Sequence, residues 1–212
     1  MPLAPQLILA SASSGRLRLL RQAGFEPQVI VSGVDESAIT ASDPAVLVTE
    51  LALAKATVVA ATVTDGLVLG ADSVLDLDGV ALGKPADIDA ARRRWAVLAG
   101  REGMLRTGQA LLLVANNAVQ ATDVVVGSTT VRFGRPDEAE LEAYLHSGEP
   151  LQVAGAFTID GLGGQFIDSI DGDPGTVVGL SLALLRAQAA RVGVRLTDLW
   201  TRDAAIRVRS GQ

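Results

Sequence analysis

Apolar runs too brief to be buried helices alternate along this chain with longer segments of helical period, the signature of an α/β fold. Gln6–Ala10 reads as a buried strand that passes through small hydroxyl residues into a helix from about Gly15 to Ala23. Leu17 and Leu20 face inward there, and Gly24 supplies the stop. Pro27–Ser32 forms a second strand, and Ser42-Asp43-Pro44 opens a long helix reaching about Val63. Leu67–Ala71 is a continuous apolar run ended by Asp72, and Val74–Leu77 follows it. Asp78-Gly79 then turns the chain back through Val80–Leu82 to Gly83-Lys84-Pro85. Asp87 caps a helix over Ile88–Ala99, residues 105–115 and 119–133 form two long strands around Asn116-Asn117, and a short helix ends at His146. A strand is expected at Gln165–Ile170 between two glycine-rich turns, and Val178–Ala190 as the last long helix.

The core of such a fold must here be aliphatic, because Phe, Trp and Tyr together number seven in 212 residues, while 22 glycines permit close backbone approach. Without cysteine there is no disulfide, thiolate nucleophile or thiolate-bound metal, and the single histidine, His146, excludes any site built on two imidazoles. A net charge of −6 makes nucleic acid an unsuitable partner, since binding it requires neutralising phosphates with Lys and Arg. Any anionic ligand must be met by local positive charge or by a metal. The first apolar run is too short for a signal peptide, and no stretch approaches the roughly 18 apolar residues of a membrane span. A cytoplasmic protein with no membrane partner is therefore expected. Residues 1–200 read as one domain, with 201–212 as a frayed tail.

Three regions carry chemistry. Where Gln6–Ala10 gives way to a helix, backbone N–H groups are left free, and Ser11, Ser13 and Arg16 can add donors for an anion. Ser and Gly serve equally well as turn and cap residues. Asp72 follows an apolar strand directly, at the kind of strand end where α/β proteins gather ligands, and could hold a metal or activate a water. An Asp that merely terminates a strand is common too. Lys55 sits in the apolar segment LALAKATVVAA, where an ammonium needs a counter-charge or an anion unless it snorkels to solvent. Glu36 in VDES and Lys84 in GKP complete the set, while Arg92-Arg93-Arg94 reads as a solvated helix face.

The segments LILASASSGRLRLLRQAG, VDES, LALAKA, LVLGADSVLDLDGVALGKP, AGAFTIDGLGGQFIDSIDGD and VVGLSL, in this order and spacing, closely resemble the Maf family of nucleoside triphosphate pyrophosphatases. The resemblance runs from about residue 6 to 186. It implies a mixed central sheet in two lobes around a nucleotide cleft, similar to inosine triphosphate pyrophosphatases. It also implies release of diphosphate from a nucleoside triphosphate, Mg²⁺ or Mn²⁺ as cofactor, and a homodimer. Position by position, Asp72 corresponds to the proton acceptor, Ser11, Arg16, Lys55 and Lys84 to phosphate contacts, and Glu36 to an acidic residue near metal or water, so that Asp72 and Glu36 form the expected metal pair.

The chain departs from the family where substrates are told apart. Ser13-Ser14-Gly15-Arg16 stands where members commonly read Ser-Pro-Arg-Arg, Ser73 where they carry Thr or Gln, and Asp160 where they carry Gln or Glu. A carboxylate at 160 accepts hydrogen bonds but donates none, which tilts the expectation toward guanine-type or 7-methylated bases. Lys55→Met and Lys84→Met are both expected to weaken nucleotide binding with little loss of stability. The alternative reading is a nucleotide-binding regulator of cell division with little hydrolysis.

Overall fold

In the computed structural model, which describes residues 5–201, one mixed sheet organises the chain. Its strands are β1 (Leu7–Leu9), β2 (Gln28–Val29), β3 (Gly66–Leu77), β4 (Val80–Leu82), β5 (Glu102–Ala115), β6 (Ala118–Phe133) and β7 (Ile167–Asp171). Their order is β2-β1-β3-β5-β6-β7, parallel from β2 to β3 and antiparallel beyond. The helices are α1 (Ser14–Gln22), α2 (Pro44–Ala60), α3 (Ile88–Leu98), α4 (Glu138–His146), α5 (Pro174–Val178) and α6 (Leu182–Arg191). The mixed α/β class expected from the sequence is present. Among the described residues no helix is long and apolar enough to cross a membrane. Of the tail expected to fray, only Thr201 lies within the described residues, and its N–H donates to the Gly24 carbonyl at 2.9 Å.

β3 is the hinge of the architecture. One of its edges pairs with β5 from Gly66 to Asp76. The other pairs with β1 over Leu67–Leu69 and with β4 over Leu75–Leu77, which leaves residues 70–74 without a strand neighbour on that side. Alternation along the strand sends Leu67 and Leu69 into a cluster with Leu20, Leu180 and Leu185, while Val68 joins Ala52, Ala56 and Val59 of α2. Farther along, Leu75 and Leu77 enter a third cluster around Trp95, Phe133, Tyr144 and Phe157. Most of the few aromatic side chains are gathered there, with Trp95 edge-on to Phe133, Tyr144 and Phe166.

α2 lies flush on the sheet because two glycines lie under it. A Cβ on Gly70 would come within 2.2 Å of the Ala52 carbonyl oxygen, and one on Gly108 within 2.1 Å of that of Val48. Gly70 and Gly108 face the same side of adjacent paired strands.

Several elements differ from the expectation. The apolar run does not stop at Asp72: β5 pairs straight across it, with Asp72 opposite Gly108, so the strand continues to Leu77. The long helix stops at Ala60 rather than Val63, and Gln165 belongs to a 3-10 turn that precedes β7. The expected helix Val178–Ala190 is two helices. Gly179 adopts φ +113°, a left-handed cap that ends α5, and Ser181 caps α6 by accepting from the Leu184 N–H. Arg92-Arg93-Arg94 is only partly a solvated face: Arg92 pairs with Glu142 of α4, and the partly buried Arg94 donates to the Gly83 carbonyl at 2.5 Å.

Candidate active site

The unpaired stretch of β3 opens onto a cleft of about 980 Å³. Every residue singled out in the sequence lines it: Ser11, Ser13, Arg16, Glu36, Lys55, Asp72, Ser73, Lys84 and Asp160. Because the strand has no neighbour here, side chains from both of its faces reach the opening. Asp72 points toward α2 and its sequence neighbour Ser73 toward α1 and α5.

On the α2 side, the Lys55 ammonium bridges two carboxylates, 2.6 Å from Asp72 Oδ1 and 2.6 Å from Glu36 Oε1. Its side chain is 9% exposed, so it does not snorkel. Glu36 lies on a short 3-10 turn capped by Asp35, with its side chain 57% exposed. Two carboxylates against one ammonium leave this corner negative.

On the α1 side, Arg16 is buried, and each of its three guanidinium nitrogens holds part of the wall together. It donates from Nε to Gly179 O at 2.8 Å, from Nη1 to Ser11 Oγ at 3.0 Å and from Nη2 to Ser73 Oγ at 3.0 Å. Burial pulls its pKa down, opposed by the nearby charges of Asp72 and Glu36. These bonds determine what the hydroxyls can offer. Ser11 Oγ accepts from Arg16 and from the Ser13 N–H at 3.2 Å, so its own proton has no acceptor among the described residues. Thr107 gives its single proton to Thr176 O, so in the 2.8 Å contact between Thr107 and Ser73 the proton comes from Ser73. Ser73, expected to contact substrate, therefore has no O–H left to donate.

Ser13 caps α1 by accepting from the Arg16 N–H, and the N–H groups of Ser14 and Gly15 find no partner among the described residues. Lys84 is exposed and unpaired among the described residues. It follows Gly83, whose carbonyl accepts from Arg94 and from the Gly155 N–H at 3.0 Å.

Asp160 is not the bare acceptor expected. Thr158 Oγ1 donates to one carboxylate oxygen and Arg18 of α1 to the other. Partial burial raises its pKa, but those two donors outweigh this and hold it below the usual carboxylate range. Behind it, Glu149 accepts from the N–H groups of Leu162 and Gly163, at 2.9 and 2.8 Å, pinning the loop. Sequence reasoning missed Arg18, Glu149 and Arg94. Arg18 had one available signal, its place three residues after Gly15 on the same helical face.

In this mixed-sheet α/β protein, free N–H and O–H donors on one wall of the cleft, facing a lysine-bridged carboxylate pair on the other, form an arrangement suited to a small polyanion. The family model described as "Maf-like protein" matches residues 6–192, and the chain belongs to that family. It is 57% identical over 198 residues to a protein named "Nucleoside triphosphate pyrophosphatase" from Streptomyces coelicolor, covering 92% of this chain and 94% of that one. It is 51% identical over 207 residues to a protein of the same name from Mycolicibacterium gilvum, covering 93% and 99%. The solved structure of the Staphylococcus aureus Ham1 protein aligns over 98% of this chain and 100% of its own, with a TM-score of 0.45 and 13% identity.

Proposed function

We infer that this protein hydrolyses a nucleoside triphosphate to the monophosphate and diphosphate. The observation that carries the reading is Lys55, buried between Asp72 and Glu36 and facing a wall of unoccupied donors across the cleft. The family and the names of its relatives support it.

Phosphoryl transfer asks for charge stabilisation and alignment more than for covalent help. The Ser11 and Ser13 hydroxyls, the Ser14 and Gly15 N–H groups and Lys84 are the donors that would hold phosphate oxygens. Asp72 Oδ1 is held by Lys55, leaving Oδ2 to accept a proton from a water. The water oxygen bonds to phosphorus, and the electrons of the breaking P–O bond leave with diphosphate. Glu36 assists from the more exposed side. Arg16 acts by holding Ser11 and the α5 cap in place.

Asp72 and Glu36 also suit Mg²⁺ or Mn²⁺. Mg²⁺ commonly takes one or two carboxylates and completes its shell with phosphate oxygens and water. Among the described residues no cluster of three or more His, Cys, Asp or Glu side chains is placed to hold a metal, so the substrate would complete the site. Bound there, the ion supplies charge neutralisation to the phosphates.

The test is diphosphate release from a panel of nucleoside triphosphates, with Mg²⁺ and with chelator. Diphosphate as the product, dependent on the metal, is expected; orthophosphate alone, or no product, would contradict the reading.

Two substitutions separate binding from architecture. Lys84→Met should weaken nucleotide affinity about tenfold, the order of a charge-assisted contact, with an unchanged melting temperature. Lys55→Met should not behave as the sequence suggested. It leaves Asp72 buried and facing Glu36 with no cation between them, so about 3 kcal/mol of stability should be lost along with turnover. Equal melting temperatures for Lys55→Met and parent would show that the bridge contributes nothing to folding.

A further inference from the structure

Arg18 reaches across the cleft from α1 to the loop that follows Thr158, and joins Asp160 there. With a rise of about 1.5 Å per residue, it lies roughly 6 Å along the helix from the free N–H of Ser14. That puts it beyond the donors suited to phosphate, yet still lining the cleft. Gly15, on the same face and nearer the N-terminus, has no side chain to intervene. A guanidinium carries five N–H donors in a planar fork. One of Arg18's is given to Asp160, and no other has a partner among the described residues. Asp160, by contrast, has both oxygens engaged, by Arg18 and by Thr158. The pair thus presents donors to the cleft, with no net charge to attract a cationic base.

Resting on the nucleotide reading above, we propose that Arg18, oriented by Asp160, selects the substrate's base, favouring uracil and guanine, whose ring carbonyls accept from the fork, over cytosine and adenine. Cytosine places an amino group where uracil has its O4 carbonyl, and adenine one where guanine has O6, and an amino group and a guanidinium are both donors. Its side chain is 50% exposed and the ion pair is a surface one, so the pair can shift to admit a base at little cost and Arg18 can be replaced without endangering the fold.

The experiment compares kcat/KM for UTP, CTP, GTP and ATP in the parent, Arg18→Met and Arg18→Lys, alongside affinity for inorganic triphosphate, which has no base. The parent should prefer UTP to CTP and GTP to ATP, and Arg18→Met should reduce those ratios about tenfold, within the range a bidentate guanidinium contact supplies. Arg18→Lys keeps the charge and a donor but lacks the planar fork, and should retain only part of the preference. Affinity for inorganic triphosphate should stay within about twofold, since it contains only groups suited to Lys84 and to the donors at the start of α1, a turn away from Arg18. Unchanged ratios, or equal losses for all four nucleotides and for inorganic triphosphate, would overturn the proposal. A parent that releases no diphosphate from any nucleotide would undo the functional reading instead, and the same ratios measured as binding affinities would still decide the role of Arg18.

Discussion

Asp72→Asn is expected to lower kcat by about 10³-fold, within the range general-base catalysis supplies, while the melting temperature stays within a few degrees of the parent. The asparagine carbonyl can still accept from Lys55, and Glu36 still pairs with that lysine, so the buried corner keeps its hydrogen bonds. What disappears is the second carboxylate oxygen, the atom that would take the proton. Glu36→Gln should cost less, because its side chain is more than half exposed and lies farther from the strand wall. Steady-state rates of diphosphate release with thermal melts of both variants check this. Turnover of Asp72→Asn within about threefold of the parent would remove Asp72 from the reaction, and a larger loss from Glu36→Gln would exchange the two roles.

Gly70→Ala should cause a large stability loss for the addition of a single methyl, as should Gly108→Ala on the neighbouring strand. Its Cβ would stand 2.2 Å from the Ala52 carbonyl oxygen and 2.8 Å from the Ala56 nitrogen, both backbone atoms that no side-chain rotation can move. α2 would have to lift off the sheet, at about 3 kcal/mol, the upper end of ordinary overpacking. For a chain of this length that is a fall of roughly 10 °C in melting temperature. Lifting α2 also draws Lys55 away from Asp72, so activity measured well below the melting point should fall too. Gly83→Ala is the matched control: nothing lies within 4 Å of where its Cβ would stand and its backbone is not left-handed, so its melting temperature should barely change. If Gly70→Ala melts with Gly83→Ala, the close seating of α2 is not what holds the two walls together.

The sequence by itself determined the α/β class, most of the elements and the identity of the residues that line the cleft. Those properties are written locally. Strand runs, Asp and Ser caps, the Asp78-Gly79 turn and the six ordered motifs all act within about twenty residues of themselves. Lys55 within an apolar helix announced a counter-charge, and the structure supplies Asp72 and Glu36. The tertiary structure alone decided what those residues are free to do. Arg16 and Gly179 are 163 residues apart, and Arg18 and Asp160 are 142 apart, so no local pattern could join them. Long-range hydrogen bonds engage Ser73 and one oxygen of Asp160, Thr158 takes the other from two residues away, and Ser11 keeps its proton. The break at Gly179 has the same origin: Val178–Ala190 has the composition of one helix, but the left-handed turn points the Gly179 carbonyl at a guanidinium on α1. A side chain's chemical type is a property of its own residue, whereas its unsatisfied donors and acceptors depend on every element packed against it.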